Sequence, residues 1–210
     1  MADSVTRSID SLQRLYTIVV GLALTESIRG FLAAAGAPAL GASAASTSEA
    51  YPLGLLLIMV VTLVPFYHGA NNYLDAAHLF VHQPVARRYT LLVDFLVLFA
   101  EGVFMVMMGL SITNESRFLF LFQALLLIDI AWAIFVYFGV ASDPTRKSVV
   151  KWAIINVIAV VGLYIVRKTP LFAPMDRLTA AVSIAVIRTF ADYAWNWDFY
   201  VGLRTAPADG

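Results

Sequence analysis

The sequence predicts an all-α, polytopic membrane protein in which six transmembrane helices form one bundle. Three observations predict this class: 60% of the 210 residues are hydrophobic, only 13% are charged, and the mean hydropathy is +0.80. A soluble domain averages about 45–50% apolar and about 25% charged residues. The composition therefore excludes an ordinary soluble globule, a disordered chain and a nucleic-acid-binding protein. The chain contains no Cys, which also excludes disulfides and thiolate metal sites.

Six segments hold the roughly 20 mainly apolar residues that a helix needs to cross the hydrocarbon core. The first follows Asp10, with Gln13 three residues later in a capping-box pattern. The second has Pro52 in its first turn, and the fifth opens with Asp143 and Pro144. We treat residues 1–210 as one membrane domain. The predicted spans are 11–34, 51–80, 88–112, 117–140, 144–166 and 174–200.

The ends of these spans carry an uneven distribution of positive charge. Lys and Arg are more frequent at the end of the predicted bundle that carries both termini than at the other end. Because cytoplasmic loops carry the excess of Lys and Arg, this bias predicts that both termini are cytoplasmic. The Ala-, Ser- and Gly-rich segment 33–50 is then predicted to be a flexible external loop or a poorly specified short helix.

The predicted spans contain more acidic than basic side chains. A charge near the middle of a bilayer costs about 2.5–3.5 kcal/mol on insertion scales, so each one needs a reason. One interpretation is that each carboxyl is protonated and hydrogen-bonded between helices. The other is that water or passing cations reach the acids. Arg188 is the intramembrane base, and the acids are Glu26, Asp94, Glu101, Asp129 and Asp192.

Arg188 itself has two interpretations. It is either an internal strut that pairs with Asp192 on its own helix or with Asp94 in the third span, or a group that binds an anion directly. The order Arg then Asp, four residues apart, is the less favoured polarity for a pair within one helix. This order makes a partner on another helix plausible.

A polar stripe follows Pro65, which can kink the second helix. Its side chains recur every three or four residues and so share one helical face, which His82 extends. The stripe is a polar face toward cytosol or other helices, a wall of an aqueous vestibule, or a metal site using its two histidines and its aspartate. The metal site is disfavoured because His68 and Asp75 are seven residues apart. This spacing corresponds to a rise of about 10.5 Å along a helix, which one ion does not easily bridge. The stripe consists of His68, Asn71, Asn72, Asp75 and His78.

Several common motifs are missing. The chain has no P-loop, no Gly-x-Ser-x-Gly elbow, no dinucleotide fingerprint and no Thr-Val-Gly-Tyr-Gly filter. We therefore predict no cofactor and no bound metal, and we favour a protein that is not an enzyme.

The segment Leu15–Thr25, with the sequence LYTIVVGLALT, resembles the first helix of the prokaryotic relatives of the lysosomal potassium channel. Six predicted helices, the chain length and His78 followed by Leu-Phe add to the resemblance. It implies a tetramer whose first helices line a pore, with Val19 and Leu22 facing that pore. Residues 15–17 are Leu-Tyr-Thr, where the family has Phe-Ser-Asp, so potassium selectivity does not carry over.

These observations favour a homo-oligomeric channel for small cations in the lipid bilayer. Its predicted pathway comprises Val19, Leu22, Glu26, Glu101 and Asp129. Two alternatives stay open: a membrane effector that depends on a partner protein, and a polytopic enzyme or carrier for a small or lipidic substrate at the inner leaflet. The latter would use a polar inner cluster of His68, Asn71, Asn72, Asp75, His78, Asp94, Arg188 and Asp192.

Overall fold

A computed structural model describes residues 2–36, 50–79, 87–139, 143–169 and 174–201. Within these ranges all regular secondary structure is helical, which confirms the predicted all-α class. A π-helical turn, Asp75–Leu79, continues the second helix. The helices are α1 (Ala2–Gly36), α2 (Ala50–Leu74), α3 (Arg87–Gly109), α4 (Glu115–Gly139), α5 (Asp143–Lys168), α6 (Pro174–Trp195) and α7 (Trp197–Val201).

Five helices of the described chain are long and apolar enough to cross a membrane, which is compatible with a multi-pass membrane protein. They correspond to the first five predicted spans. The sixth predicted span corresponds to α6, whose 22 residues include Arg188 and Asp192 and which is not among the five. The five segments are Thr6–Gly36, Tyr51–His78, Tyr89–Gly109, Glu115–Gly139 and Arg146–Lys168.

Three helix boundaries in the structure differ from the limits that the sequence predicts for the spans. Asp10 is not an N-cap, because α1 begins at Ala2 and passes through the helix-compatible residues around Asp10 without a break. The third span ends at Gly109 rather than at 112, where the chain enters a turn. The last span is interrupted at Asn196, between α6 and α7. The ends of the second and fourth spans, His82 and most of the segment 33–50 lie outside the described residues.

The six long helices form a closed ring. Neighbours around it are α1, α3, α4, α5, α6 and α2, and α2 returns to α1. Because α2 also contacts α3 and α4, it lies partly inside the ring. Around α2 meet the inner faces of α3, α4, α5 and α6. We call the end of the bundle where α1, α3 and α5 begin the N-terminal end, and the other the opposite end.

Glycines allow α1 and α3 to pack closely along what we call the glycine seam. A Cβ at Gly109 would lie 2.7 Å from the Ala23 carbonyl oxygen and 2.9 Å from the Ser27 hydroxyl oxygen. Val19 packs against Gly102, one heptad before Gly109. Small residues permit this approach, which supplies van der Waals contact between helices.

Candidate functional site

Polar side chains on four helices converge inside the ring. Asp94 and Glu101 are seven residues apart on α3, and so share a face. Asp129 lies on α4 and Asn156 on α5, each within an apolar stretch in the middle of its helix. These four side chains are at most 7% exposed. Burying such groups is costly unless they find partners, so their contacts define the site.

A cavity of about 20 Å³ lies at the centre of this polar region. Three carboxyl groups, those of Glu101, Asp129 and Asp192, line it together with the guanidinium of Arg188. Its remaining wall is mainly aromatic and aliphatic. A polar cavity of this size has room for about one water molecule. The cavity therefore combines an excess of acids with space for a small guest.

Arg188 is fixed by contacts to two other helices. Its Nε donates a hydrogen bond to Asn156 Oδ1 at 2.8 Å, and its Cζ lies 4.9 Å from the centre of the Phe66 ring. The Asn156 amide nitrogen in turn donates to Asp129 Oδ2. Arg188 Nη1 is buried and has no hydrogen-bond partner among the described residues. One donor on a fixed guanidinium thus remains available beside the cavity.

The predicted pairing of Arg188 with Asp192 or Asp94 is wrong. Within the described residues, Arg188 forms no ion pair. Both carboxylates bind other donors, and the Arg-then-Asp order within α6 does not favour the pair. The arginine is coupled to Asp129 through Asn156 instead.

Asp94 forms a buried pair near the N-terminal end. Its Oδ2 lies 2.7 Å from His78 Nε2, and Trp132 Nε1 donates to its Oδ1 at 2.9 Å. Both members of the pair have side chains that are 1% exposed. The Tyr73 ring packs edge-on against Trp132 with centroids 4.5 Å apart. This carboxyl is fully buried, and its two contacts join α2, α3 and α4.

Asp192 is held by the break between α6 and α7. Its Oδ1 accepts a hydrogen bond from Asn196 Nδ2 at 2.9 Å, and its Oδ2 accepts one from the Tyr200 hydroxyl at 2.8 Å. The Tyr200 oxygen also accepts from Trp152 Nε1 at 3.1 Å. The short α7 thus returns over the N-terminal end and places a phenol against the acid that lines the cavity.

The polar stripe of the second span divides among neighbours instead of lining one surface. His68 Nδ1 lies 3.3 Å from the Tyr193 hydroxyl, and Asp75 Oδ1 accepts a hydrogen bond from Gln13 on α1 at 3.0 Å. His78 instead contacts Asp94 on α3. The π turn that starts at Asp75 changes the helical phase between these residues.

The amides of the stripe make their own contacts. Asn72 donates to the Phe199 and Tyr200 carbonyl oxygens at 3.2 and 3.3 Å, and Asn71 donates to the Tyr67 carbonyl. In the described ranges, no three His, Asp or Glu side chains come together as a metal site. The structure therefore does not support a metal ion bound by His68, Asp75 and His78 together.

Glu101 differs from the other buried acids. It is 3% exposed, and its carboxyl makes no hydrogen bond with any residue that the structure describes. It lines the same cavity as Asp129 and Arg188. The Tyr16 hydroxyl of α1 is also buried and has no hydrogen-bond partner among the described residues. Glu101 is the acid with the least local compensation.

The candidate residues on α1 lie apart from this centre. Leu22 is 49% exposed on the outer face of the helix, whereas Val19 is half-buried against Gly102. Glu26 is half-buried and lies 3.9 Å from Arg29. Neither Leu22 nor Glu26 lines the central cavity. The predicted pathway residues therefore form two groups, one inside the ring and one on α1.

Sequence reasoning missed five polar contributors to the site. An isolated amide inside an apolar span is a signal for an interhelical hydrogen bond, and this signal could have identified Asn156. The aromatic residues carried no such signal, because a Tyr or Trp in a span is more often a core or interfacial group. The missed residues are Tyr16, Trp132, Trp152, Asn156 and Tyr200.

No family model, curated protein or solved structure matches this chain. The resemblance of Leu15–Thr25 to the first helix of a channel family stays an expectation. The site must therefore be interpreted from its chemistry alone. A small cavity lined by three acidic residues and one fixed arginine suits a proton or a small cation better than an anion or a large substrate.

Proposed function

We propose that this chain is an integral membrane protein with six spans and cytoplasmic termini, and that it passes protons or other small cations. The pathway runs through the interior of each subunit, by way of Glu101, Asp129 and Asp192. The observation that carries this proposal is the small cavity lined by these three acidic residues and Arg188.

The imbalance of charge supports a guest that is positive. Three carboxyls share the cavity with one guanidinium, so a proton or small cation compensates charge that the protein leaves uncompensated. Ionisable groups inside a membrane are expensive and mark ion paths and proton relays. The lack of a hydrogen-bond partner for Glu101 among the described residues makes it the preferred binding group.

Arg188 weakens the binding of a cation in this cavity. Conduction requires that binding be favourable enough for entry and weak enough for departure. A fixed guanidinium beside the acids opposes the binding of a cation and so keeps it from being trapped. Its hydrogen bond to Asn156 holds this charge at a constant distance from Asp129.

Asp192 supports access from the N-terminal end. Its hydrogen bond with the Tyr200 hydroxyl links the cavity to α7, and His68 lies beside the same phenol with ring centroids 5.0 Å apart. Hydroxyl and imidazole groups both give and take protons. In the proposed orientation, this series of groups connects the cavity with the cytoplasmic surface.

A homo-oligomeric channel lined by α1 is the second candidate, and the exposure of that helix favours it. Only 11% of the apolar window of α1 is buried, against 33% to 56% in the other four candidate spans. Leu22 lies on the open face. A symmetric ring of subunits would cover that face and place it on a common axis.

Reconstituted liposomes separate the two pathways. The purified full chain is tested for dissipation of proton, sodium and potassium gradients at several potentials. We expect Glu101→Gln, which removes a charge at constant size, to reduce flux at least about tenfold, because several kcal/mol of ion stabilisation depend on it. Glu26→Gln is the matched control on α1, and we expect it to retain flux.

The opposite pattern would reject the interior pathway. Loss of flux in Glu26→Gln and Leu22→Trp, with normal flux in Glu101→Gln, would assign conduction to an axis lined by α1. A wild-type protein that passes no ion under any of these conditions would reject both candidates.

A further inference from the structure

A second cavity, of about 190 Å³, lies at the opposite end of the bundle, where α4 begins and α5 ends. Three cationic side chains line it, Arg167, Lys168 and Arg177, and one acid, Glu115. None of the three cations forms an ion pair with Glu115 in the part of the chain described here. The cavity therefore has a positive potential suited to an anion.

Arg167 is held in place before any ligand arrives. Its Nη1 donates to Gln123 Oε1 at 2.6 Å, and Gln123 Nε2 in turn donates to the Val160 carbonyl oxygen at 3.1 Å. Its Cζ lies 5.7 Å from the centre of the Phe120 ring. A guanidinium fixed in this way loses little conformational entropy when it binds an anion.

Helix-end electrostatics explains only part of this cluster. Arg167 and Lys168 lie in the last turn of α5, where cations interact favourably with the helix dipole. Arg177 lies in the first turn of α6, where a cation is unfavourable. Its Nε is buried and has no hydrogen-bond partner among the described residues. A buried guanidinium donor in the first turn of a helix, where a cation is unfavourable, indicates a hydrogen-bond acceptor that is not among the described residues.

The basic surface at the N-terminal end offers a contrast. There Lys151 donates to the Trp195 carbonyl oxygen at 2.8 Å, and Arg146 lies over the Tyr137 ring at 5.4 Å. These contacts resemble those of Arg167, but among the described residues this surface has no buried guanidinium nitrogen without a hydrogen-bond partner, unlike Arg177 at the other end. The position of Lys147 on that surface makes it a suitable control for the loss of one positive charge.

We propose that the cavity at the opposite end binds a phosphate group. Arginine pairs with phosphate through parallel hydrogen bonds, and two arginines line this cavity. We assign the phosphate to a phospholipid headgroup, because Tyr164 on the wall is 57% exposed and offers an aromatic edge of the kind found at membrane interfaces. This inference requires the proposed insertion in a bilayer but not the proposed ion pathway.

Lipid titration of the purified full chain in a neutral detergent tests this site. Three probes are compared: phosphatidylglycerol, a diacylglycerol with the same acyl chains, and inorganic phosphate. We expect phosphatidylglycerol to bind and diacylglycerol not to bind. Arg177→Gln should weaken phosphatidylglycerol binding about tenfold, the value of one charge-assisted hydrogen bond. Arg177→Lys should retain part of the affinity, and Lys147→Gln should bind like the wild type.

Equal affinities for phosphatidylglycerol and diacylglycerol would overturn the proposal. Wild-type affinity in an Arg177→Gln protein would also overturn it, even if this protein melts at a lower temperature without lipid, because Arg177 would then be structural only. Binding of inorganic phosphate that depends on Arg177, without binding of the lipid, would reject the lipid and assign the site to free phosphate. An unchanged ion flux in Arg177→Gln liposomes would separate this site from the proposed pathway.

Discussion

Helix α3 carries two seven-residue repeats that lie on adjacent faces and are buried in different ways. Asp94 and Glu101 turn into the ring, whereas Gly102 and Gly109 turn onto α1. The two repeats are offset by one residue, which rotates their faces by about 100° around the helix. One face is buried by finding polar partners, and the other by close approach of two backbones.

This difference determines how each face tolerates change. Inside a bilayer, apolar surface gives helices no reason to associate, so packing of small residues and interhelical hydrogen bonds must hold them together. The glycine face depends on the absence of atoms, and any added side chain disturbs it. The acidic face depends on the presence of partners. Asp94 has two of them, and Glu101 has no hydrogen bond to the described residues.

Removal of the Asp94 carboxyl should have the largest effect on stability. Asp94→Ala leaves His78 and Trp132 buried without their acceptor, and loss of one partner of a buried pair costs about 3 kcal/mol or more. Unfolding in mixed micelles measures the change in free energy. Glu26→Ala, which removes a partly exposed pair with Arg29, should cost less than about 1 kcal/mol. Equal costs would show that burial of the Asp94 pair has no energetic consequence.

A methyl group in the glycine seam should have the next largest effect. In Gly109→Ala the new Cβ would lie 2.7 Å from the Ala23 carbonyl oxygen, which belongs to backbone and cannot rotate away. We expect a loss of about 1–3 kcal/mol from overpacking. Gly21→Ala is the control, because nothing lies within 4 Å of the position that its new methyl group would take and alanine favours helix. The same unfolding measurement should show no loss for Gly21→Ala.

A smaller loss is expected where the polar face reaches α7. Tyr200→Phe removes the 2.8 Å hydrogen bond to Asp192 and the acceptor for Trp152, but it preserves the ring and its packing. Interhelical hydrogen bonds in membrane proteins contribute about 1 kcal/mol or less each. We therefore expect Tyr200→Phe to lower the free energy of unfolding by about 1 kcal/mol or less and to slow proton flux. Unchanged flux would remove Tyr200 from the proposed route while leaving the cavity in place.

The sequence was sufficient to predict the class of fold and four of the buried acids, whereas the fifth acid, Glu26, is only half-buried on α1. Hydropathy and composition identify long apolar helices directly, so five of the six predicted spans correspond to helices that are long and apolar enough to cross a membrane. The boundary at Asp10 failed because a capping-box pattern inside a long helical sequence is indistinguishable from one at its start. The break at Asn196 is accompanied by local hydrogen bonds to Asp192 and from Phe199 and Tyr200, which hydropathy does not report.

The partners of the buried charges could not be predicted. Helical periodicity gives the face of a residue but not the neighbour that this face meets, and the ring order α1, α3, α4, α5, α6, α2 is not the chain order. Arg188 was therefore assigned to Asp192 or Asp94, although its hydrogen bond goes to Asn156. The π turn after α2 added a second error, because a constant period of 3.6 residues placed His68 and His78 on one face.

Glu101 should respond differently from Asp94, although both lie on one face of α3. Glu101→Gln removes a buried carboxyl that makes no hydrogen bond with any described residue. Asp129 and Asp192 remain at the cavity with Arg188. Replacing an uncompensated buried acid by a neutral group of the same size is neutral or stabilising. We expect a change in unfolding free energy below about 1 kcal/mol, with loss of ion flux. A large loss of stability would instead mean that Glu101 is a structural partner of Arg188, and the distinction between the two acids would disappear.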